Sequence, residues 1–391
     1  MSAVTVSVVM PVYNGEDCLR ECLDSICAQT LRDIEIICVD DGSSDGSLAI
    51  LDEYASKDKR IRVIAQPNSG AAAARNKGIA IASGEYLSVL DSDDRFEPDM
   101  LEKMVARARS ADAQIVICRC EGFEDGTEKP VPMMWSLQDK FVPSEVFSAE
   151  DMGDALFFFT QGWAWDKLYR MSFVRENGLE FQNLKSSNDM LFTFLSLALA
   201  QRITVMNNVF IHQRRGCSTS ISATRRKNCD CFYQALLGLR NGLERRGIME
   251  RFRKAFDNLC VFFSMWHFET LKQDRECFFF LYNKFRDEYF PELGIGTQPE
   301  DYFLEGVRAD YRHCLAIIGS SAEDYLYDRA VGSADAAEQE DIRKSASYRI
   351  GRMITWLPRT IRTGCRAIRS MGLGYTLKMA WRTLLRGSSR K

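Results

Sequence analysis

No stretch of the chain approaches the roughly 18 consecutive apolar residues that a bilayer-crossing helix needs, so no spanning helix is expected. The start, Met1 to Val12, lacks a basic leader and a small-residue cleavage site, so a secretion signal is not expected either. Zinc-type cysteine spacing is also missing. The 13 cysteines are odd in number and scattered, and the close pairs Cys118/Cys120 and Cys229/Cys231 stand one residue apart, not at the usual metal-binding spacings. The expectation is reduced thiols used as small apolar side chains in a cytosolic protein. No internal repeat or low-complexity tract is visible. Acidic residues are missing from one region: residues 342–391 hold 13 Lys/Arg and no Asp/Glu. Of the 51 basic residues, 38 then remain to face 54 acidic ones, so an acidic body of balance −16 carries a strongly basic tail.

At 391 residues the chain is long enough for two or three units, and an apolar fraction of 46% is ordinary for a globular protein. Val- and Ile-rich runs at residues 4–10, 34–39, 61–64, 86–90 and 114–118 read as strands. Helical spacing separates them: Cys18, Leu19, Cys22, Leu23 and Ile26, then Leu48, Leu51 and Tyr54, then an alanine-rich stretch over 69–83. Strand and helix in alternation predict right-handed crossovers and a mostly parallel sheet covered on both faces. Residues 122–143, rich in Gly and Pro, read as a loop or short hairpin, while 149–159, 165–176 and 189–200 read as helices. Residues 231–290 are almost wholly helical in pattern, and 332–341 form a small, acidic linker.

Five segments carry candidate chemistry. Pro11-Val12-Tyr13-Asn14 follows the first strand, where ligands of open parallel sheets sit, and Tyr13 could lie against a flat nucleobase. Asp40-Asp41-Gly42 ends the second strand; a helix needs one cap, not two preceding acids, and a carboxylate here can accept the N3–H of uracil. Asn68-Ser69-Gly70 leads to Arg75 near a helix start, a setting suited to a diphosphate. Asp91-Ser92-Asp93-Asp94 crowds three carboxylates at the end of an apolar strand, a repulsion that a hard cation such as Mg²⁺ or Mn²⁺ relieves. Ser187-Asn188-Asp189 opens a helix, and Asp189 is a candidate general base. Each has a bland alternative, respectively a turn, helix caps, a surface arginine, a solvated acidic turn and a helix-start acid favoured by the macrodipole.

Taken in order, the five resemble the inverting glycosyltransferase family 2 with its GT-A fold, over about the first 215 residues. The resemblance implies an α/β, Rossmann-like catalytic domain over residues 1–220, and the residue pattern adds a helical region over 221–331 and a linker with basic amphipathic helices over 332–391. It implies Pro11 and Tyr13 as the nucleobase wall, Asp40 or Asp41 as the uracil-contacting acid, and Arg75, Asp91 and Ser92 as donor-site residues. Asp93 is implied as the metal ligand, with His212 a weaker candidate, and Asp189 as the base. The family's base usually follows a Glu, where this chain has Asn188. Trp165 and Lys167, in Trp165-Asp166-Lys167-Leu168-Tyr169, match a segment near the acceptor. The implied reaction is an inverting, metal-dependent transfer from a UDP-sugar to a glycan or lipid-linked glycan hydroxyl. A catalytically inactive nucleotide-sugar-binding scaffold and a sugar nucleotidyltransferase are the rival readings.

In the tail, Ile350, Met353, Ile354, Leu357 and Ile361, and later Leu377, Trp381, Leu384 and Leu385, recur at helical spacing among Arg and Lys. Basic amphipathic helices with Trp lie on anionic membranes, so residues 349–391 are expected on the inner face of the plasma membrane. Docking on the body is the alternative, and nucleic acid is not expected as a partner.

Overall fold

The computed structural model describes residues 4–127, 129–215 and 226–331, so the basic tail and its membrane expectation lie outside the described residues. A first compact unit reaches Ile318. Within it the expected alternation appears: β1 (Val6–Val12), α1 (Glu16–Cys27), β2 (Ile34–Asp40), α2 (Ser47–Lys57), β3 (Ile61–Ala65), α3 (Ala71–Ile81) and β4 (Tyr86–Val89). Next come β5 (Arg95–Phe96), α4 (Met100–Ser110), β6 (Ile115–Glu124), β7 (Lys129–Val131) and β8 (Val146–Phe147). α5 (Ala149–Met152), β9 (Lys167–Arg170), α6 (Met171–Glu176), α7 (Met190–Leu199) and β10 (Ile203–Arg215) complete the sheet region.

The ten described strands form one sheet, ordered β3-β2-β1-β4-β9-β6-β10-β5, with β7 added on β6 and β8 on β10. β1 to β4 run parallel, so the residues that follow β1, β2 and β4 emerge at one edge. β1 runs two residues beyond the expected run, and Pro11 sits inside it opposite Val39. Alternation along β1 sends Val6, Val8, Met10 and Val12 into a core with Leu19, Leu23 and Ile26 of α1 and Leu51 of α2. Val9 and Val39 turn to the other face, against α3. There Gly78 is required, because a Cβ on it would lie 2.5 Å from Val9 Cγ1. Alanine improves helix propensity by about 1 kcal/mol, but overpacking a rigid β-branched side chain costs about 1–3 kcal/mol. Gly78→Ala should therefore lower the urea midpoint, and an equal or higher midpoint would contradict this packing.

Two helix readings are corrected. Residues 165–176 are not one helix: β9 inserts antiparallel between β4 and β6, and only Met171–Glu176 is helical. Lys167, Leu168 and Tyr169 are all buried, because both neighbouring strands need a partner. Residues 149–159 form the short α5, which ends where Gly153 takes φ +50°, and then a 3-10 turn over Gly153–Ala155. The longest strand, β10, carries no sequence signal of its own. Bulges at Val205/Val209 and Val209/Ile211 and polar residues through its second half break the period-two pattern. Residues 122–143 do hold a short hairpin, β6–β7.

The helical stretch resolves into α8 (Cys231–Arg245), α9 (Met249–Leu271), α10 (Arg275–Lys284), α11 (Phe290–Leu293) and α12 (Glu305–Gly319). α8 packs on α7 through Gly242 against Leu195. α13 (Ala322–Val331) falls in the second unit, which begins at Gly319. No disulfide joins the described cysteines, most of which are buried. No described helix is long and apolar enough to cross a membrane.

Candidate active site

The edge formed by the C-terminal ends of β1, β2 and β4 is stitched together before any side chain acts. Asp41 N donates to Val12 O (2.8 Å) and Leu90 N to Val9 O (3.0 Å). Asn14, at φ +47°, donates from its backbone N to Ser43 Oγ (3.0 Å) and accepts at Oδ1 from Ser44 N (2.8 Å). The turn after β1 is thereby locked to the turn after β2, and Tyr13 is left 54% exposed on that edge.

The two adjacent acids at the end of β2 have different jobs. Asp41 accepts from Gln66 Nε2 (2.7 Å), Ser69 N (2.8 Å) and Gly70 N (2.8 Å), so its carboxylate is spent on the loop leading into α3. Asp40 Oδ2 accepts from Gly42 N and Ser43 N (both 3.2 Å), while the buried Oδ1 has no partner. A buried oxygen without a donor is costly, and this one can accept an incoming N–H. Gly42 makes the turn possible: its φ is +76°, and a Cβ would lie 2.8 Å from Asn68 N.

Beyond β4, one oxygen from each of Asp91, Asp93 and Asp94 lies within 4.8 Å of the others. Burial, and then the charge of Asp91, push the Asp93 carboxyl up to about 6. Asp94 is driven well above the usual range by burial and then by Asp93 and Asp91, though Arg214 N donates to it (3.0 Å). Self-repelling, part-buried carboxylates arranged this way fit a hard divalent cation with oxygen ligands. Ser92 lies in this turn, its Oγ beside Gly15 at the start of α1. Arg214 braces the turn from β10: its Nε donates to Asp93 O (3.0 Å) and its guanidinium pairs with Asp125 (2.6 Å) and with Glu21. Phe123 packs between the guanidiniums of Arg95 and Arg214, at 4.1 and 4.7 Å.

Arg75 is no surface residue. Buried on α3, it donates to Asp91 Oδ1 and to Asn188 Oδ1, both at 2.7 Å, and its guanidinium lies over Phe181 (5.2 Å). One side chain thus ties the acidic turn after β4 to the segment that carries Asp189. Asp189 occupies the N-cap position of α7 but makes no side-chain capping bond. Burial, and secondarily Asp91, push its carboxyl up to about 6, against the pull of Arg75. Asp189 therefore does stand at a helix start, as its bland reading expects, but its carboxyl makes no capping bond there.

Two expected positions behave differently. Both ring nitrogens of His212 are engaged, by Glu121 (2.9 Å) and Glu97 (2.7 Å), and His212 stands outside the carboxylate group. Lys167 cannot touch an acceptor: its side chain is fully buried, paired with Asp166 (2.6 Å), and donates to Trp163 O (2.8 Å) and Gln161 O (3.0 Å). Its work is to fix the 161–163 turn. Trp165 is buried under Trp163, the rings stacked at 4.6 Å. A cleft lined by Glu85, Arg109, Asp112 and Arg170 opens at the N-terminal end of β4, away from the acidic turn. Its arginines are already paired, Arg109 with Glu85 (2.5 Å) and Arg170 with Asp112 (2.6 Å).

The first 349 residues of S. aureus TarS, solved in complex with UDP-GlcNAc, share this fold with a TM-score of 0.59. The match covers 82% of this chain and 89% of that one at 19% identity. The architecture is therefore of the GT-A type, α/β with a mostly parallel sheet and a C-terminal helical region. Residues 7–167 match the glycosyl transferase family 2 model. The chain is 34% identical over 274 residues to the putative glycosyltransferase EpsH of Bacillus subtilis, covering 68% of this chain and 76% of that protein. It is 31% identical over 281 residues to the cholesterol galactosyltransferase of Borreliella burgdorferi, covering 68% and 75%. The chain belongs to glycosyl transferase family 2 and is a glycosyltransferase of the inverting type. That membership sets the nucleotidyltransferase reading aside.

Proposed function

We propose that this enzyme moves a sugar from a UDP-sugar donor to a hydroxyl of a glycan or lipid-linked glycan, with a divalent cation bound and Asp189 as general base. The observation that carries the reading is the Arg75 bridge, which holds the acidic turn and the Asp189 segment in one site. On the donor side, the unpartnered Asp40 Oδ1 suits the uracil N3–H, and Pro11 and the exposed Tyr13 suit the flat base. Asp41 serves by holding the loop before α3, and Ser92 and Asp91 line the donor side of the turn. Asp93 is the foremost residue to hold Mn²⁺ or Mg²⁺, with Asp91 and Asp94 beside it. Such an ion supplies Lewis-acid stabilisation of the diphosphate as charge develops there.

Asp189 takes the proton of the acceptor hydroxyl while that oxygen bonds to the anomeric carbon. The bond from the anomeric carbon to the UDP oxygen breaks on the opposite face, so the configuration inverts, as in inverting hydrolysis with an alcohol in place of water. Arg75 keeps one charge between the reacting halves, where Asn188, being neutral, leaves it only Asp91 as an ionic partner. Residues 1–220 form the proposed catalytic portion, 221–331 its helical companion and 332–391 the linker and tail.

A thermal-shift series with UDP and UDP-sugars, with and without Mn²⁺ or Mg²⁺, tests the donor. At about 100-fold excess over Kd a ligand adds roughly 2.7 kcal/mol of stability. UDP release by the wild type but not by Asp93→Ala separates enzyme from inactive scaffold, and no stabilisation by any uridine nucleotide would sink the donor assignment. The tail supports a peripheral place on the inner face of the plasma membrane, with the acceptor carried in lipid and no role for nucleic acid. Deleting residues 350–391 should release the protein from anionic liposomes, and undiminished binding would remove that part.

A further inference from the structure

Beside the Asp189 segment stands a ladder of three tryptophans drawn from two loops. Trp165, at the bottom, is buried. Trp163 stacks on it at 4.6 Å and 16°, and Trp135 meets Trp163 edge to face at 5.2 Å and 65°. Trp135, at the outer end, is 44% exposed. The two loops are fastened to each other: Gln161 Nε2 donates to Trp135 O (3.1 Å), Gln138 N donates to Phe159 O (2.7 Å), and Leu137 bridges to Thr160. The buried Lys167 ammonium holds the inner loop by the carbonyls of Gln161 and Trp163. The same loop rests on the first two turns of α7, for a Cβ on Gly162 would lie 3.0 Å from Phe194 and 3.7 Å from Met190, the neighbour of Asp189.

We propose that Trp135 and Trp163 form a stacking platform for a pyranose ring of the acceptor, delivering its hydroxyl to Asp189. The proposal rests on Asp189 acting as the base. A lone exposed aromatic needs no explanation, but this one caps a rigid ladder that is hydrogen-bonded through both loops. A preorganised indole loses little conformational freedom on binding and offers a flat apolar face with a polar rim. A pyranose matches that surface, with C–H groups on its face and hydroxyls around its edge, and Gln161 stands at the ladder for those hydroxyls. The buried Lys167 acquires a function here, because it positions the platform without touching the acceptor.

The full chain labelled with 5-fluorotryptophan tests this by fluorine NMR. It is titrated with methyl β-D-glucopyranoside, methyl β-D-galactopyranoside and methyl N-acetyl-β-D-glucosaminide. The Trp135 and Trp163 lines, assigned by their loss in Trp135→Phe and Trp163→Phe, should shift with at least one glycoside, and the line of Trp266 on α9 should not. Trp135→Ala should weaken that binding about tenfold, in the range of an interface aromatic, and Trp135→Phe should restore part of it. Silence from every glycoside, undiminished binding by Trp135→Ala, or a response to micellar cholesterol alone would overturn the platform. Stabilisation by UDP, measured in parallel, reports on the donor reading separately. The NMR result judges the platform whichever way the donor result falls.

Discussion

Asp189→Asn should lower kcat by about 10²- to 10⁴-fold, the usual contribution of a positioned general base, while UDP still stabilises the protein as it does the wild type. The carboxylate makes no capping bond to α7, so its removal costs the helix no hydrogen bond there. Replacing a carboxyl pushed up to about 6 by an amide also removes a charge that burial disfavours. The variant should therefore fold at least as well as its parent, which separates lost chemistry from lost structure. The acidity of the same group sets the pH profile. A base must be ionised, so wild-type kcat/KM should fall as pH drops through about 6, not through the ordinary carboxylate range near 4. Neutral pH should be close to the plateau. A profile that stays flat down to pH 5, or Asp189→Asn with near-parental kcat, would remove Asp189 from the chemistry.

Asp93→Asn should produce the second large effect, with opposite signs in stability and activity. The folded-state carboxyl sits at about 6, above the ordinary value. The folded protein thus binds its proton more tightly than the unfolded chain does. Stability from this group is highest when it is protonated and declines as pH rises from about 4 through 6. At pH 7.5 without metal, the neutral amide should then stabilise the fold, by on the order of 1 kcal/mol once coupling to Asp91 and Asp94 is discounted. At pH 4 the gain should vanish. Adding Mn²⁺ should reverse the ranking, stabilising the wild type but not the variant, and UDP release by the variant should fall by several kcal/mol of barrier, about 10²-fold or more. Chemical denaturation at the two pH values, with and without Mn²⁺, reads all of this. A destabilised Asp93→Asn in metal-free buffer at pH 7.5 would mean the three carboxylates do not repel as their spacing implies.

Much of this site is legible in the sequence because the first half of the sheet obeys local rules. β1 to β4 are short apolar runs, each followed directly by its polar turn, so position along the chain already places Asp40, Asp91 and Asp93 at one edge. What escapes local reading depends on partners distant in sequence. β9 looks helical by spacing, yet it is a strand because β4 and β6 flank it. β10 carries His212 and Arg214 in a polar, bulged stretch that pairing with β6, and with β5 at His212, makes into a strand. The division of labour between Asp40 and Asp41 rests on which backbone N–H groups the loop before α3 offers. Arg75 reads as a diphosphate-side residue, or else a surface arginine, from its place near a helix start, whereas its partners lie 16 and 113 residues away. Asp94 is legible as the third carboxylate of its turn, whereas Arg214, which braces that turn from β10, has no signal in the sequence. Trp135 had no signal beyond being aromatic in a loop.

The Arg75 tether also limits how such an enzyme can diversify. Its three anchor points, on α3, in the turn after β4 and just ahead of α7, belong to segments that recombination or loop grafting would ordinarily treat as separate cassettes. Importing a foreign segment around residues 181–189 with a carboxylate at position 188 would give the guanidinium a second anionic claimant and draw it away from Asp91. Successful chimeras should therefore be those that inherit all three anchors from one parent, and the boundaries for engineering new acceptor preferences should be cut outside them.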